Sequence, residues 1–402
     1  MARRQPSSTR RTSPAKAAPR RSPRVALARA ARTRRRLVAA TERWDAALFG
    51  GTPGADLAAL DRARVSAVFA DLMARAAFMP MLALAAVAPV RWAIPTADTV
   101  RAAHGERLAD PDAAFTVREP PHVTASRAWD VPAGRRSWLR FRSPSPRMAD
   151  EAFARVTEPH DGARAPSIVA VNGICIEIDY LDGGVDVAMT LAALGFRVIE
   201  LVTPWHGRRA PAGWYSGEPF FGTAPLGPLD LFDATVREMA VLIGWARRFD
   251  SPVAIAGTSF GSLACQLAVS RSASWPAAMR PDAALLIAHS GRLANVAFTG
   301  ALTTGLGLGD ALACAGWRQA DLHAWLPLLD PAERSAIDPG RIVSVVGTAD
   351  RIVPARDGTA LCARWGVPDA NRFMTNQCHF SARVHLYRNR APLERLRQVM
   401  AA

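Results

Sequence analysis

The stretch Gly257-Thr258-Ser259-Phe260-Gly261 sets one serine between two glycines, each two residues away. Before it, Val253-Ala254-Ile255-Ala256 is a short apolar run suited to a buried strand. After it, apolar residues recur at helical spacing as far as Val269. A strand that turns at once into a helix holds the residue at the tip in strained dihedrals. Side chains two positions to either side would collide there, so glycine occupies both places. The Ser259 hydroxyl then stands clear of the sheet, and the N–H of Phe260 opens the helix, where an oxyanion is stabilised. The chemistry this predicts is nucleophilic attack on a carbonyl carbon. An ordinary glycine-rich strand–helix turn reads the same way, so the serine's partners decide.

A serine hydroxyl needs a base, and the base needs an orienting acid. For a serine on such a turn the expected chain order is serine, acid, histidine. "VSVVGTADRIVP" puts Asp350 just past an apolar strand, and "MTNQCHFS" puts His379 in a loop 29 residues later, after one more helix and a short strand. The competing readings are a turn-forming Asp350 and a structural loop histidine at 379. His385 is the fallback base, although it sits inside what reads as one last helix over 380–400. His289 follows an earlier strand and precedes the acid, which the order disfavours. The second oxyanion donor is expected from the turn after the strand at 167–172. There Gly173 permits close backbone approach, the N–H of Ile174 is the candidate donor, and Asn172 braces the loop or meets substrate. In "PWHGRRAPAGWYSGEPFFGTAPLGP" (204–228), His206, Arg208, Arg209 and several aromatics are candidates to bind a carboxylate or an acyl chain, with His206 and Arg208 the substrate-binding residues. A packed structural loop is the alternative.

These residues need a sheet to gather them. Short apolar or alternating runs fall at 137–143, 152–159, 167–173, 195–204, 253–256, 282–290 and 341–350, with a strong helical pattern at 229–249 between two of them. Strands alternating with helices predict a doubly wound, mostly parallel α/β sheet. Residues 291–338 interrupt that rhythm and read as a helical cap insertion. Upstream, 37–135 reads as an N-terminal helical extension and linker, and 136–402 as the domain that carries the serine.

With these residues in hand, the chain resembles the alpha/beta-hydrolase superfamily over roughly 136–400, on the elbow, "GTADRIVP" and "CHFS" in the correct order. A narrower similarity, to the alpha/beta-hydrolase domain-containing protein 18-like group, rests on "ELVTPWHGRRAP" and "CHFSARV". The resemblance implies an alpha/beta-hydrolase fold with Ser259 as nucleophile, Asp350 as acid and His379 as base. Many relatives have His-Gly where this chain has Asn172-Gly173, a departure at the second oxyanion donor.

The net charge of +15 is uneven: residues 1–36 hold twelve arginines, one lysine and no acid, so the rest carries only +2. The tail, rich in Arg, Ser, Pro and Ala, reads as disordered over 1–36, with no specific nucleic-acid partner. It lacks the apolar core of a signal peptide. Its acid-poor arginines also suit a transit peptide, but Lys16 is the only lysine in the chain, which points to coding bias. The uncharged run 76–90 is shorter than the ~20 residues of a spanning helix and is broken by Pro80 and Pro89. It reads as a buried or docking helix, with peripheral membrane contact through it and the tail as the alternative. Five cysteines, an odd number without C-x-x-C spacing, predict neither disulfides nor a metal site, and a reducing cytoplasmic setting. No phosphate-loop or dinucleotide fingerprint is present, since Gly305, Gly307 and Gly309 follow no strand, and no cofactor is expected. The function this predicts is hydrolysis of a small-molecule ester or thioester through an acyl-enzyme. The alternatives are an acyltransferase on the same three residues and a non-catalytic protein of this fold at membrane surfaces.

Overall fold

Apolar runs too short for helices and uninterrupted by charge form strands buried on both faces. The computed structural model describes residues 23–51, 54–75, 90–178, 186–386 and 388–401. Among them ten strands form one sheet: β1 (Thr124–Ala125), β2 (Trp129–Val131), β3 (Gly134–Arg142), β4 (Glu151–Glu158), β5 (Ser167–Val171), β6 (Arg197–Leu201), β7 (Val253–Thr258), β8 (Ala283–Ile287), β9 (Ile342–Gly347) and β10 (Arg372–Thr375). The order across the sheet is β1-β3-β4-β6-β5-β7-β8-β9-β10, with β2 paired to β3. From β6 to β10 every pairing is parallel, and β4 runs antiparallel to both its neighbours. The doubly wound, mostly parallel sheet expected from the sequence is therefore present.

The period of two assigns the faces. Ile168, Val198, Ala254, Ala256, Leu285, Ile287, Val343 and Val345 meet α4 (Val187–Ala193) and α14 (Ala391–Ala401) on one side. Their alternates Val169, Val171, Ile199, Ile255, Ala284 and Leu286 meet α6 (Leu226–Ala246) and α7 (Phe260–Arg271) on the other. Slipping any of these strands by one residue would turn its apolar set to the wrong side. The inserted residues 291–338 carry α8 (Leu293–Thr299), α9 (Ala301–Leu306), α10 (Leu308–Cys314) and α11 (Gln319–His323) between β8 and β9.

Two sequence expectations need correction. Helix α1 spans Pro23–Phe49, so residues 23–36 are helical and not part of a disordered tail. Pro23 at the first position and the Ala, Arg and Leu that follow are good helix formers whatever their net charge. With α2 (Leu57–Arg75), α1 packs Trp44, Leu48 and Leu57 against Trp129, Trp138, Phe153 and Val202 at the antiparallel end of the sheet. At the other terminus, the single helix read over 380–400 is two, α13 (His379–His385) and α14, because Pro392 fits only the first turn of a new helix. The charged residues 1–22 and nearly all of the apolar run 76–90 lie outside the described residues. No described helix is long and apolar enough to cross a membrane.

Candidate active site

The end of β7 delivers Ser259 to the tip of the turn into α7 with φ 56° and ψ −122°, a conformation an L-residue adopts only under constraint. The constraint is visible. The Ser259 N–H donates to the Ile287 carbonyl of β8 at 2.9 Å. A Cβ at Gly257 would overlap the Gly261 backbone, and one at Gly261 would overlap the Val171 carbonyl at the end of β5. Both glycines are required sterically, as the spacing predicts. Ser262, which the sequence reading passed over, is fully buried one turn in. Its hydroxyl donates to the Gly257 carbonyl at 2.5 Å and accepts the Ile287 N–H at 2.7 Å, pinning the elbow to β8. A hydroxyl residue three positions after Ser259, in the first turn of the helix, was the available signal.

Asp350 follows β9. One carboxylate oxygen accepts the N–H groups of Ile352 and Val353, both at 2.9 Å. The other lies 2.7 Å from His379 Nδ1, and His379 Nε2 lies 2.9 Å from Ser259 Oγ. Ser259 and Asp350 are 8% and 7% exposed, so the chain of hydrogen bonds is shielded from bulk water. The sequence reading placed His379 in a loop; it is the first residue of α13. The Ala349 N–H bonds the Gln377 carbonyl at 3.1 Å, tying the acid's loop to that of the histidine. His385 closes α13. His289 is buried behind β8 against Ser344 at 2.8 Å, and burial pushes its imidazole down to about 4.

Across the serine, a Cβ at Gly173 would lie 3.4 Å from Ser259 Cβ, so the 173–174 backbone passes directly over the nucleophile. Ile174, Phe260 and Ser259 open into an apolar chamber of about 70 Å³. Its other walls are Phe220, Phe221, Ala224 and Pro228, Leu263, the cap residues Leu293, Val296, Leu302 and Leu308, and Ile352 and Val353 after the acid.

The three residues read as substrate-binding are not on that wall. His206 is buried with both ring nitrogens engaged, Nδ1 at 2.8 Å from the Pro204 carbonyl and Nε2 at 2.9 Å from the Cys175 N–H. Arg208 pairs with Asp45 of α1, and its guanidinium stacks 3.7 Å over the Phe153 ring. Asn172 is buried in a separate cleft beside Ala170, Thr190 and Leu386. The physical reason is common to the two loop residues: a loop that carries polar and charged groups across a sheet end must satisfy them against the protein before any ligand arrives. Arg209, expected with them to meet a carboxylate or an acyl chain, is part of the same frame. It bonds Asp150, the Val202 carbonyl and both oxygens of Glu238 of α6. Among the described residues no group of three or more His, Cys, Asp or Glu side chains is placed to hold a metal ion.

No family model and no curated protein matches the chain. Solved structures that it resembles include acetyl xylan esterase 1 from Thermoanaerobacterium sp. JW/SL YS485, at 13% identity and a TM-score of 0.46 over 75% of this chain and 94% of that one. Others are an S-formylglutathione hydrolase from Agrobacterium tumefaciens (16%, 0.43, 67% and 98%) and brefeldin A esterase, a bacterial homologue of human hormone sensitive lipase (18%, 0.41, 81% and 93%). Likenesses this distant assign nothing, and the topology stands by itself. With one antiparallel strand β4 beside the parallel run, β5 between β6 and β7, and a serine elbow leaving β7, the chain has the alpha/beta-hydrolase fold.

Proposed function

We propose that the protein is a serine esterase acting on small carboxylic esters through an acyl-enzyme. Ser259 Oγ attacks the carbonyl carbon while His379 Nε2 takes its proton. Asp350 holds the other ring N–H and stabilises the imidazolium that forms. The carbonyl π electrons move onto oxygen, and that oxyanion is received by the N–H groups of Phe260 and Ile174. Collapse returns the proton from His379 to the leaving alkoxide, and water then repeats the cycle to free the acid. The apolar chamber beside Ser259 takes the acyl chain.

The observation that carries this reading is the unbroken Ser259–His379–Asp350 chain at 2.9 and 2.7 Å on a strained elbow. A structural serine has no need of a positive φ held open by two obligatory glycines. The test is Ser259→Ala against the parent with p-nitrophenyl esters and a fluorophosphonate probe. Labelling should vanish and kcat should fall by about 10⁴-fold or more. A variant that labels and turns over like the parent removes the mechanism.

A further inference from the structure

Among the described residues, His206 is a histidine outside the Ser259 relay that bonds the loop crossing Ser259. We propose that His206 is a positioning residue, which fixes the oxyanion loop 172–177 by accepting the backbone N–H of Cys175. This rests on the esterase reading above, since it concerns how the second oxyanion donor, the N–H of Ile174, is aimed.

Cys175 sits at φ 63°, a conformation that a non-glycine residue holds only where its surroundings enforce it. The Ile174 N–H is one peptide unit from that strained residue. If Cys175 relaxed, the 174–175 peptide would turn and shift Ile174, whose N–H is the donor. What enforces the conformation is the 2.9 Å bond from the Cys175 N–H to His206 Nε2. His206 can accept there because its Nδ1–H donates to the Pro204 carbonyl at 2.8 Å, which fixes the tautomer. Burial pushes the imidazole down to about 4, so the ring remains a neutral acceptor at neutral pH.

The element holding His206 is built for close approach. Trp205 just before it is at φ 63°, and its carbonyl accepts the Gly217 N–H at 3.0 Å, closing the loop on itself. Gly217 is at φ 74°, and a Cβ there would lie 2.7 Å from His206 Nε2 and 3.0 Å from the Cys175 nitrogen. The side chain and its target therefore meet where no third atom fits. Two residues along, Glu177 bonds Ser216, which also accepts the Gly207 N–H at 3.0 Å. The 205–217 loop thus grips the oxyanion loop at two points. One grip is a neutral nitrogen acceptor beside the donor peptide, the other a carboxylate at the far end.

His206 touches neither substrate nor the reacting atoms, so its effect must show in transition-state stabilisation. The experiment compares the parent, His206→Leu and His206→Gln, with active sites counted by fluorophosphonate titration. It also measures inhibition by a trifluoromethyl ketone, which forms a tetrahedral oxyanion on Ser259. His206→Leu fills the space without an acceptor, and kcat per titrated site should fall about 10- to 100-fold with KM changed less than about threefold. The inhibition constant for the ketone should rise by the same factor. His206→Gln, whose amide oxygen can take the Nε2 role, should recover most of the loss. A second variant, Gly217→Ala, leaves His206 in place but pushes it from Cys175, and should lower kcat per site about tenfold; it carries the test if His206→Leu does not fold. A role in stability alone would lower the number of titratable sites and leave kcat per site within twofold of the parent, and that result overturns the proposal. Failure of the esterase reading looks different, because the parent itself would then neither titrate nor turn over.

Discussion

Ser259 is held at φ 56° by atoms that cannot move independently of the sheet. The carbonyl that a Gly261 Cβ would strike belongs to Val171, the last residue of a central strand. Gly261→Ala should therefore cost about 3 kcal/mol or more and not be rescued by rotamer change, read as a fall in the urea midpoint at constant m-value. A variant with parental stability would mean that the elbow is not packed as described. His206 and His289 make a second residue-scale prediction. Burial pushes both down to about 4 from an ordinary 6.5. Because the folded-state value is the lower one, the unfolded chain takes up the protons first. The stabilisation is whole above about pH 6.5 and is lost as pH falls from there toward 4. Each fully neutral buried histidine contributes a loss of roughly 3 kcal/mol over that window. Denaturant titrations at pH 7, 5.5 and 4.5 should show the decline, and replacing His289 by Gln should flatten part of it.

The 204–228 loop shows what one element contributes. Three successive polar residues leave it in three directions: His206 to the oxyanion loop, Arg208 to Asp45 of α1, and Arg209 to Asp150 and Glu238. Glu238 is fully buried on α6, and burial raises its carboxyl above the ordinary value despite the guanidinium beside it. Arg209→Leu should thus cost about 3–5 kcal/mol, since it strands a buried carboxylate. Arg209→Leu with Glu238→Leu should cost clearly less than the sum of the two single variants, a coupling that a double-mutant cycle in urea measures. Additive costs would show that the pair does not interact. This loop also marks where sequence reading stops. The central strands β5, β7, β8 and β9 were legible because each is an uncharged, mostly apolar run closed by a turn, and β3 and β4 by their alternation, whereas β1 and β2 lie in what read as a linker. Asp350 and His379 were legible because they stand at strand and loop ends in a fixed order. Nothing in "WHGRR" says that its partners lie at positions 45, 150, 175 and 238. Charge in a loop looks like charge offered to a ligand until the packing is seen. Helix 23–36 was missed for a related reason: its arginines suggested a solvated tail, although arginine is a good helix former and the helix needs only one apolar stripe.

At the scale of the whole molecule, the chamber beside Ser259 belongs to no single segment. Its walls come from the loop at 174, the 220–228 stretch, the helix at 260–263, the inserted residues 293–308 and the loop at 352–353 after β9. No window of sequence contains it, so its size could not be read before the fold. The apolar character of the cap was readable, and it agrees with the wall. About 70 Å³ is several times what one water needs. It suits an acyl chain on the order of two to four carbons, with longer chains paying to displace Phe220 and the cap. Parent enzyme should therefore turn over acetyl to butyryl p-nitrophenyl esters best, with kcat/KM falling at least tenfold by decanoyl. Leu302 stands on α9 at the cap side of the chamber, away from the hydrogen-bonded relay. Leu302→Ala should move the optimum up by about two carbons and leave the acetyl rate within roughly threefold, because each methylene accommodated is worth on the order of 1–3 kcal/mol of transition-state binding. A profile identical to the parent's would place the acyl chain elsewhere. A uniform loss at every chain length would make Leu302 a packing residue of the cap and not a wall of the acyl site.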